Sequence, residues 1–591
     1  MPAIRVTIAV NAQQSIKAPL ILPAAALPDP SASNSYQSLI IKTAQAKLRV
    51  KKPSRFFVAR DGQELLSEAD WKAAIQNDAV ILVSAGEEYV GVRKENASTS
   101  FGAIQGRQNR CSFKHHPCLH LGVHADTSQG KANPDCPVNL LATKSFIDSQ
   151  SIAQLETTAR TLPGMIHGVG QPDLHPGTKF PIGAVFVSQE WIHPPLIGGD
   201  IGCGMAWYKT RLSRHQVDGD KGRKVAEKLR GLEGPWRKQV DRELWLTESD
   251  TCYSAGLEWD ASLGTIGAGN HFAEIQVVEQ SSTDELKEDM VVLLVHSGSR
   301  GYGGNILKRF SADGCISLHE DDPKTKQYLE EHEKACQWAR LNRDLIALRF
   351  LACLEAEFEL DLAHPETTLS IEAIKNAKQV LLQRKVVDIW HNNVQKVPWP
   401  PSAPKLLSDL EHQLLSTLEG TKELNLEDSA KNKLKYAYIH RKGAAPTQDP
   451  LTSKPLSILP LPGSRGTPTL ILRPTLSARN TWGKKNALSL AHGAGRAMSR
   501  AKALVSMSQK YSGDTRSLTV PSNSAAGLVK DPKSVKGGTW VICDEKQLVW
   551  EEAEDAYKDV VAVGDDLVNA GAAEVLGWLR PRVCYKIRTE R

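Results

Sequence analysis

The sequence predicts an α+β protein in which a small β-rich module precedes a much larger body of mixed β-sheets and flanking helices. Three observations carry this. Ile4 to Val10 (IRVTIAV) alternates as a half-buried strand does, and more strand-like runs follow before residue 90. Met290 to Val295 is a continuous apolar run, the pattern of a buried strand. Ala335, Trp338, Leu341, Leu345, Leu348 and Ala352 recur three or four apart, as on one face of a helix. From residue 150 onward strands and helices do not alternate as regular βαβ units, which favours α+β over a doubly wound sheet.

In the module, Pro19 to Pro23 reads as the hairpin partner of Ile4 to Val10. Ser35 to Leu48 is helical, with Leu39, Ile40, Thr43 and Leu48 as its apolar face. Phe56 to Ala59, the Asp61-Gly62 turn and Val80 to Val83 complete a ββαββ order. That order resembles the ubiquitin-like β-grasp over residues 1–92, and Gly86-Glu87-Glu88-Tyr89 is similar to the end of doublecortin-type variants. With no catalytic residues in view, a docking surface for an unknown protein partner is the expectation.

Residues 93–149 read as a linker and lead-in segment, and 150–591 as the catalytic body. The segment holds Cys111, His115, His116, Cys118, His120 and His124. Their spacing fits no paired Cys-x-x-Cys pattern, so incidental histidines in a loop are favoured over a structural zinc site. Pro398 to Asn432 and Ser512 to Gly538 look like surface insertions.

Composition sets wide bounds. Of 591 residues 41% are apolar and 24% charged, ordinary for a soluble globular protein, and the net charge of +6 permits an RNA partner without suggesting one. No apolar run is long enough to span a membrane and no signal peptide opens the chain, so a cytoplasmic or nuclear location is expected. Ten cysteines without a paired framework read as free thiols in a reducing compartment.

The chemistry starts at Asp200-Ile201-Gly202-Cys203-Gly204-Met205. A carboxylate and a thiol three residues apart among glycines can turn toward one point, and oxygen with sulfur suits a borderline divalent ion such as Mn²⁺ or Zn²⁺. Alone, a buried cysteine beside a turn aspartate is the commoner situation. The company it keeps changes that: His271 lies in the glycine-rich bend Gly267 to Phe272 with Glu274 beyond it, His296 ends the apolar run, and His391-Asn392 closes a helical stretch containing Ile374, Ala377, Leu381 and Val387. Three histidines, one cysteine and one aspartate at element ends form a plausible two-metal set. A second group suits a nucleotide: the loop Pro462-Gly463-Ser464-Arg465-Gly466-Thr467, and His492-Gly493-Ala494-Gly495-Arg496, where an exposed histidine can attack phosphorus and Arg496 can stabilise the developing charge. His440-Arg441-Lys442-Gly443 reads as a basic loop that could contact polyphosphate or RNA.

In order along the chain, Asp173 to Gly177, Asp200 to Met205, Gly269 to Phe272, His296 to Gly301, His391-Asn392, His440 to Gly443, Pro462 to Gly466 and His492 to Arg496 closely resemble the RtcB family of RNA ligases. The resemblance covers residues 150 to 586. It implies Asp200, Cys203, His271, His296 and His391 as ligands of two Mn²⁺ ions, and His492 as the residue guanylylated by GTP, with Arg496 and Asp173 in the catalytic group. It implies nucleotide contacts from Asn270, Phe272, Glu274, Asn392, Ser464, Gly493, Ala494, Gly495 and Lys586. The implied reaction joins RNA 3′-phosphate or 2′,3′-cyclic phosphate ends to 5′-hydroxyl ends in RNA repair or tRNA splicing, with an archease-like activator as a candidate partner.

Three departures stand out. Arg465 occupies a position where methionine is usual; Lys586 is followed by Ile587 to Arg591, although the family's lysine normally ends the chain; and Leu162 to Met165, Gly198 to Asp200 and Ser464-Arg465 are similar to a divergent branch associated with RNA damage repair. The alternatives are a two-metal phosphoesterase that has lost guanylylation and a non-catalytic scaffold. The intact His492 motif argues against the first, and the complete ligand set against the second.

Overall fold

A computed structural model describes residues 4–11, 17–23, 25–30, 32, 34–48, 50, 52–59, 62–75, 79–89, 132–229, 232–355, 369–401, 436–520 and 538–587, in two compact units, Met1–His124 and Ala125–Arg591. The candidate zinc residues Cys111 to His124, and most of both expected insertions, lie outside the described residues.

In the first unit, Ile4–Val10 pairs antiparallel with Lys17–Leu22 and parallel with Ala79–Ser84, which pairs antiparallel with Arg55–Val58. Helix Tyr36–Lys47 is capped by Ser35, whose hydroxyl accepts the Ser38 N–H at 3.1 Å. It buries Tyr36, Ile40 and Ala44 against Val6, Ile8 and Ile81, so the face is rotated from the expected one and Leu39 and Thr43 are only half-buried. A second helix, Glu68–Ala74, stands between the last two strands and makes the order ββαβαβ. It was not foreseen because a seven-residue helix with one buried anchor, Trp71, shows no repeat; the Ser67/Asp70 capping box is what starts it.

The second unit is built on two sheets. The larger runs Lys385–Trp390, Gly204–Lys209, Val291–Ser297, Phe272–Ser281, Ala573–Ile587, Thr469–Pro474 and Leu459–Pro462, with Trp540–Cys543 beside Ala573–Ile587. The smaller runs Asn392–Pro398, Tyr436–Lys442, Ile182–Ser188, Met165–His175 and Val138–Leu140. Alternate residues of Val291–Ser297 serve different cores, which explains the unbroken apolar run. Leu293 and Val295 pack with Trp338, Leu341 and Leu345 of the long helix Pro323–Leu354, whereas Val292 and Leu294 pack with Val185, Val187 and Ile439 of the smaller sheet. Trimming one such leucine to alanine would cost roughly 2–5 kcal/mol.

This layout brings strand ends together. Gly204–Lys209 and Phe272–Ser281 start directly after Cys203 and His271, Val291–Ser297 ends at His296-Ser297, and His391 is the single residue between Lys385–Trp390 of one sheet and Asn392–Pro398 of the other. In register, His296 lies opposite both Phe272 and Met205, and Gly204 opposite Trp390.

Two local expectations are corrected. Helix Ile371–Arg384 gives way to strand Lys385–Trp390, so His391 follows a strand and not a helix; β-branched Val386, Val387 and Ile389 favour the extended chain. His440 to Lys442 is part of an interior strand, not a basic loop. Among the described residues no helix is long and apolar enough to cross a membrane.

Candidate active site

Four strand ends converge on Cys203. Its sulfur lies 3.3 Å from His271 Nε2 and 3.4 Å from His296 Nε2, and Asp200 Oδ2 lies 2.8 Å from the same His271 nitrogen. Ligand atoms of Cys203, His271 and His296 all fall within 4.8 Å of one another. The His391 ring stands 4.9 Å from that of His296. The backbone holds this geometry through the His391 N–H, which donates to Cys203 O at 2.8 Å, and the Gly202 N–H, which donates to Asn392 O at 2.9 Å. Arg343, fully buried on the long helix, donates to Gly202 O at 2.9 Å and Ser297 O at 3.0 Å while paired with Asp388. It thereby fixes the carbonyls next to two of the converging residues.

The protonation of this cluster fits a cation. Burial, then the neighbouring imidazoles, hold His296 and His391 well below the ordinary histidine range, so both rings are neutral donors. Burial opposes ionisation of Asp200, but His271 and Cys203 outweigh it and keep the carboxyl below its usual range. Burial and then Asp200 push the Cys203 thiol well up. Asp200 Oδ1, His296 Nδ1 and His391 Nδ1 are buried without a hydrogen-bond partner among the described residues. Carboxylate, imidazole and sulfur donors facing one another, with unspent polar atoms, are what a borderline divalent ion requires.

Next to this cluster stands His492, its ring 4.6 Å from that of His391 and 6.5 Å from that of His296. Its Nδ1 lies 2.7 Å from Asp173 Oδ2, and Asp173 is fully buried. A buried carboxylate accepts a hydrogen bond from Nδ1–H and so keeps the proton there, leaving the lone pair on Nε2, the tautomer a nucleophilic imidazole needs. Gly443 is a close wall: a Cβ there would sit 3.0 Å from His492 Cε1 and 2.8 Å from Ile182.

The residues expected to hold a nucleotide meet at a group that sequence reasoning missed. Glu552, fully buried, pairs with Arg496 at 3.1 Å, Arg500 at 2.7 Å and Lys586 at 3.5 Å, and accepts from the Tyr557 hydroxyl. The Ser464 hydroxyl donates to Glu552 O at 2.9 Å, and Lys586 Nζ also donates to Gly269 O at 3.1 Å. The Arg496 guanidinium is thus held by Glu552, Tyr557 and the Glu551 carbonyl. Glu274 is buried against Gln276, which donates to it at 2.8 Å, and burial pushes its carboxyl up to about 7. The Phe272 ring stands edge-on to His296 at 5.3 Å, and Asn270 is exposed. The Asn392 side chain is engaged by backbone, donating to Asp200 O at 3.2 Å and accepting from Gly443 N at 2.8 Å. Ala494 N donates to Pro462 O at 2.9 Å, linking the two glycine-rich segments.

Arg465 is turned inward, not toward open space. It is buried, with its guanidinium donating to Glu552 O at 2.8 Å and to Val549 O, so it ties the loop to the end of helix Lys546–Glu551. His440 and Arg441 are likewise internal: His440 Nε2 accepts the His193 N–H at 2.9 Å, and Arg441 donates to Ser489 and Gln395. Only Lys442 of that segment is half-buried, donating to Phe180 O at 3.3 Å, and burial lowers it to about 8. The run Glu551 to Lys558, dense in charge between the nucleotide motifs and the last strand, was the one signal that could have found Glu552 and Tyr557.

Comparison with known proteins identifies the family. The family described as tRNA-splicing ligase RtcB matches residues 154–241, 245–396 and 373–587. The chain is 33% identical over 448 residues to RNA-splicing ligase RtcB2 of Escherichia coli, covering 75% of this chain and 93% of the relative. It is 25% identical over 475 residues to tRNA-splicing ligase RtcB of Methanococcus maripaludis, covering 71% and 88%. To RNA-splicing ligase RtcB homolog 1 of Entamoeba dispar it is 25% identical over 505 residues, covering 74% and 82%. The chain belongs to the RtcB family of RNA ligases.

Proposed function

We propose that this ligase uses GTP and manganese to join RNA 3′-phosphate or 2′,3′-cyclic phosphate ends to 5′-hydroxyl ends through a guanylylated His492. The observation that carries the reading is the Asp173–His492 pair standing against the Cys203, His271, His296 and His391 cluster. Asp200, Cys203, His271, His296 and His391 would hold two ions, the Cys203 sulfur lying 3.3 Å from His271 Nε2 and 3.4 Å from His296 Nε2. Ions bound there would shield phosphate charge and keep attacking and leaving oxygens in line.

Asp173 keeps the proton on Nδ1 and orients the ring, so Nε2 of His492 faces the α-phosphorus of GTP. The N–P bond forms as the bond from that phosphorus to the β-phosphate oxygen breaks, and pyrophosphate leaves. An RNA 3′-phosphate oxygen then takes the guanylyl group and frees His492; a cyclic end is first opened by water. The 5′-hydroxyl attacks the RNA phosphorus, now activated by its guanylyl partner, and GMP departs. Asn270, Phe272, Glu274, Ser464, Lys586 and the Gly493 to Gly495 backbone would surround the nucleotide. Arg496, set by Glu552 and Tyr557, would supply positive charge beside it.

For the first unit, the parallel pairing of its first and last strands and the helix packed across them support a ubiquitin-like β-grasp. We place its limit at 92, the lead-in at 93–149 and the ligase domain at 150–591; the module would recruit a protein partner.

Incubation with α-labelled GTP and Mn²⁺ tests the nucleophile. Wild type should retain label on a nitrogen of His492, and His492→Ala should retain none with its metal content near normal. Label persisting in that variant would overturn the assignment.

A further inference from the structure

Asp173 reaches His492 from a bulge. Between the Gly170–Ala184 and His175–Ile182 pairs the Met165–His175 strand carries more residues than its neighbour, and Asp173 lies within that excess. The bulge aims the carboxylate at His492, but it also takes the Pro172 and Leu174 carbonyls out of the ladder with Ile182–Ser188. Backbone acceptors at such depth need donors from elsewhere.

Lys558 supplies them. Its ammonium donates to Leu174 O at 2.7 Å and to Pro172 O at 3.1 Å, gripping the residues on both sides of Asp173. Its backbone N–H donates to Gly495 O at 3.0 Å, within the segment that carries His492. Gly495 is pressed onto the same bulge: with φ at 71°, a Cβ there would stand 2.3 Å from Asp173 O. A single lysine therefore joins the strand that orients the imidazole to the loop that bears it, and its charge stands near Asp173 itself.

We propose that Lys558 is a positioning residue for the Asp173–His492 pair, required when His492 takes up the guanylyl group and dispensable when an already guanylylated RNA end is sealed. The proposal rests on the reading of His492 as the nucleophile. It separates two steps that a general structural role would not separate, because only the first makes a bond to His492.

The test measures both steps on the full-length, manganese-loaded protein. Label uptake from α-labelled GTP is followed in a single turnover, and sealing is followed with an RNA whose 3′-phosphate already carries GMP in pyrophosphate linkage. Lys558→Met should slow label uptake by about tenfold to a hundredfold, the loss expected for a displaced reacting group, at an unchanged GTP concentration for half-saturation. Sealing of the activated RNA should stay within about threefold of wild type, and Lys558→Arg, which keeps the cation, should recover much of the uptake. Uptake at the wild-type rate in Lys558→Met, or an equal loss in both steps, would overturn the proposal. If Lys558→Met does not fold, the same ratio measured on Lys558→Gln, which also removes the cation that grips Leu174 O and Pro172 O, decides, with equal losses in both steps counting against the proposal. His492→Ala runs alongside: label on that variant would overturn the nucleophile itself, whereas an unlabelled control beside a fully labelled Lys558→Met would overturn only the role of Lys558.

Discussion

Metal binding at Cys203 should release a proton, because a buried thiol has to become a thiolate to act as a ligand. Burial and Asp200 hold the thiol well above its ordinary range, whereas burial keeps the His296 and His391 imidazoles neutral and Asp200 stays ionised. Between about pH 6.5 and 8.5 the free site therefore contains a thiol that must become a thiolate on loading. One proton released per thiolate means that affinity rises about tenfold, or about 1.4 kcal/mol, for each pH unit, and is lost as pH falls. Cys203→Ala should flatten that slope. It should also weaken binding by more than the roughly 10–100-fold typical of losing a partner outside the ligand set. Competition for Mn²⁺ against a fluorescent chelator across this range measures both quantities. Affinity independent of pH in wild type, or an unchanged slope in Cys203→Ala, would refute the reasoning and make Cys203 a buried structural thiol.

Other outcomes follow from single contacts. Arg465→Met should remove the guanidinium that binds Glu552 O and Val549 O, costing roughly 1–3 kcal/mol of stability by thermal denaturation, and should raise the KM for GTP more than it lowers kcat. Gly443→Ala should displace the His492 ring that a Cβ would meet at 3.0 Å, slowing guanylylation about a hundredfold in single-turnover labelling while metal content persists. The Ala125–Arg591 unit alone should fold by circular dichroism, take up label from GTP, and join short RNA ends within about tenfold of the full chain, about 1.4 kcal/mol being what a peripheral module would add through RNA affinity. A folded, metal-loaded unit unable to take up GMP would place the first unit in the catalytic machinery.

The candidate site was legible in the sequence where its chemistry sits in short glycine-flanked motifs. Asp200, Cys203, His271, His296 and His391 are each one residue or a few from a strand end, and sheet register brings them together. What holds them there was not legible. Arg343 reaches Gly202 and Ser297 from the middle of a helix, and Lys558 reaches Pro172 from the far end of the chain, pairings that no local spacing encodes. Charge misled at His440 to Lys442, because a basic run reads as solvated until its strand is found inside a sheet, with His440 and Arg441 bonded to buried partners. At Lys385 to Trp390 the apolar spacing fitted a helix running on, and β-branching was the better guide. Glu552 was missed because a glutamate in a charged run looks exposed; here three cations and a tyrosine surround it.

The central claim is that the phosphate already on one RNA end becomes the joint, activated by GMP passed from His492. The direct measurement uses two RNA pieces, one ending in a labelled 3′-phosphate and the other starting with a 5′-hydroxyl, incubated with protein, Mn²⁺ and GTP. The account predicts a joined strand with the labelled phosphate at the junction, one GMP released per joint, and no product with His492→Ala. Joining without GTP, a junction that lacks the labelled phosphate, or release of that phosphate as inorganic phosphate without joining would contradict it.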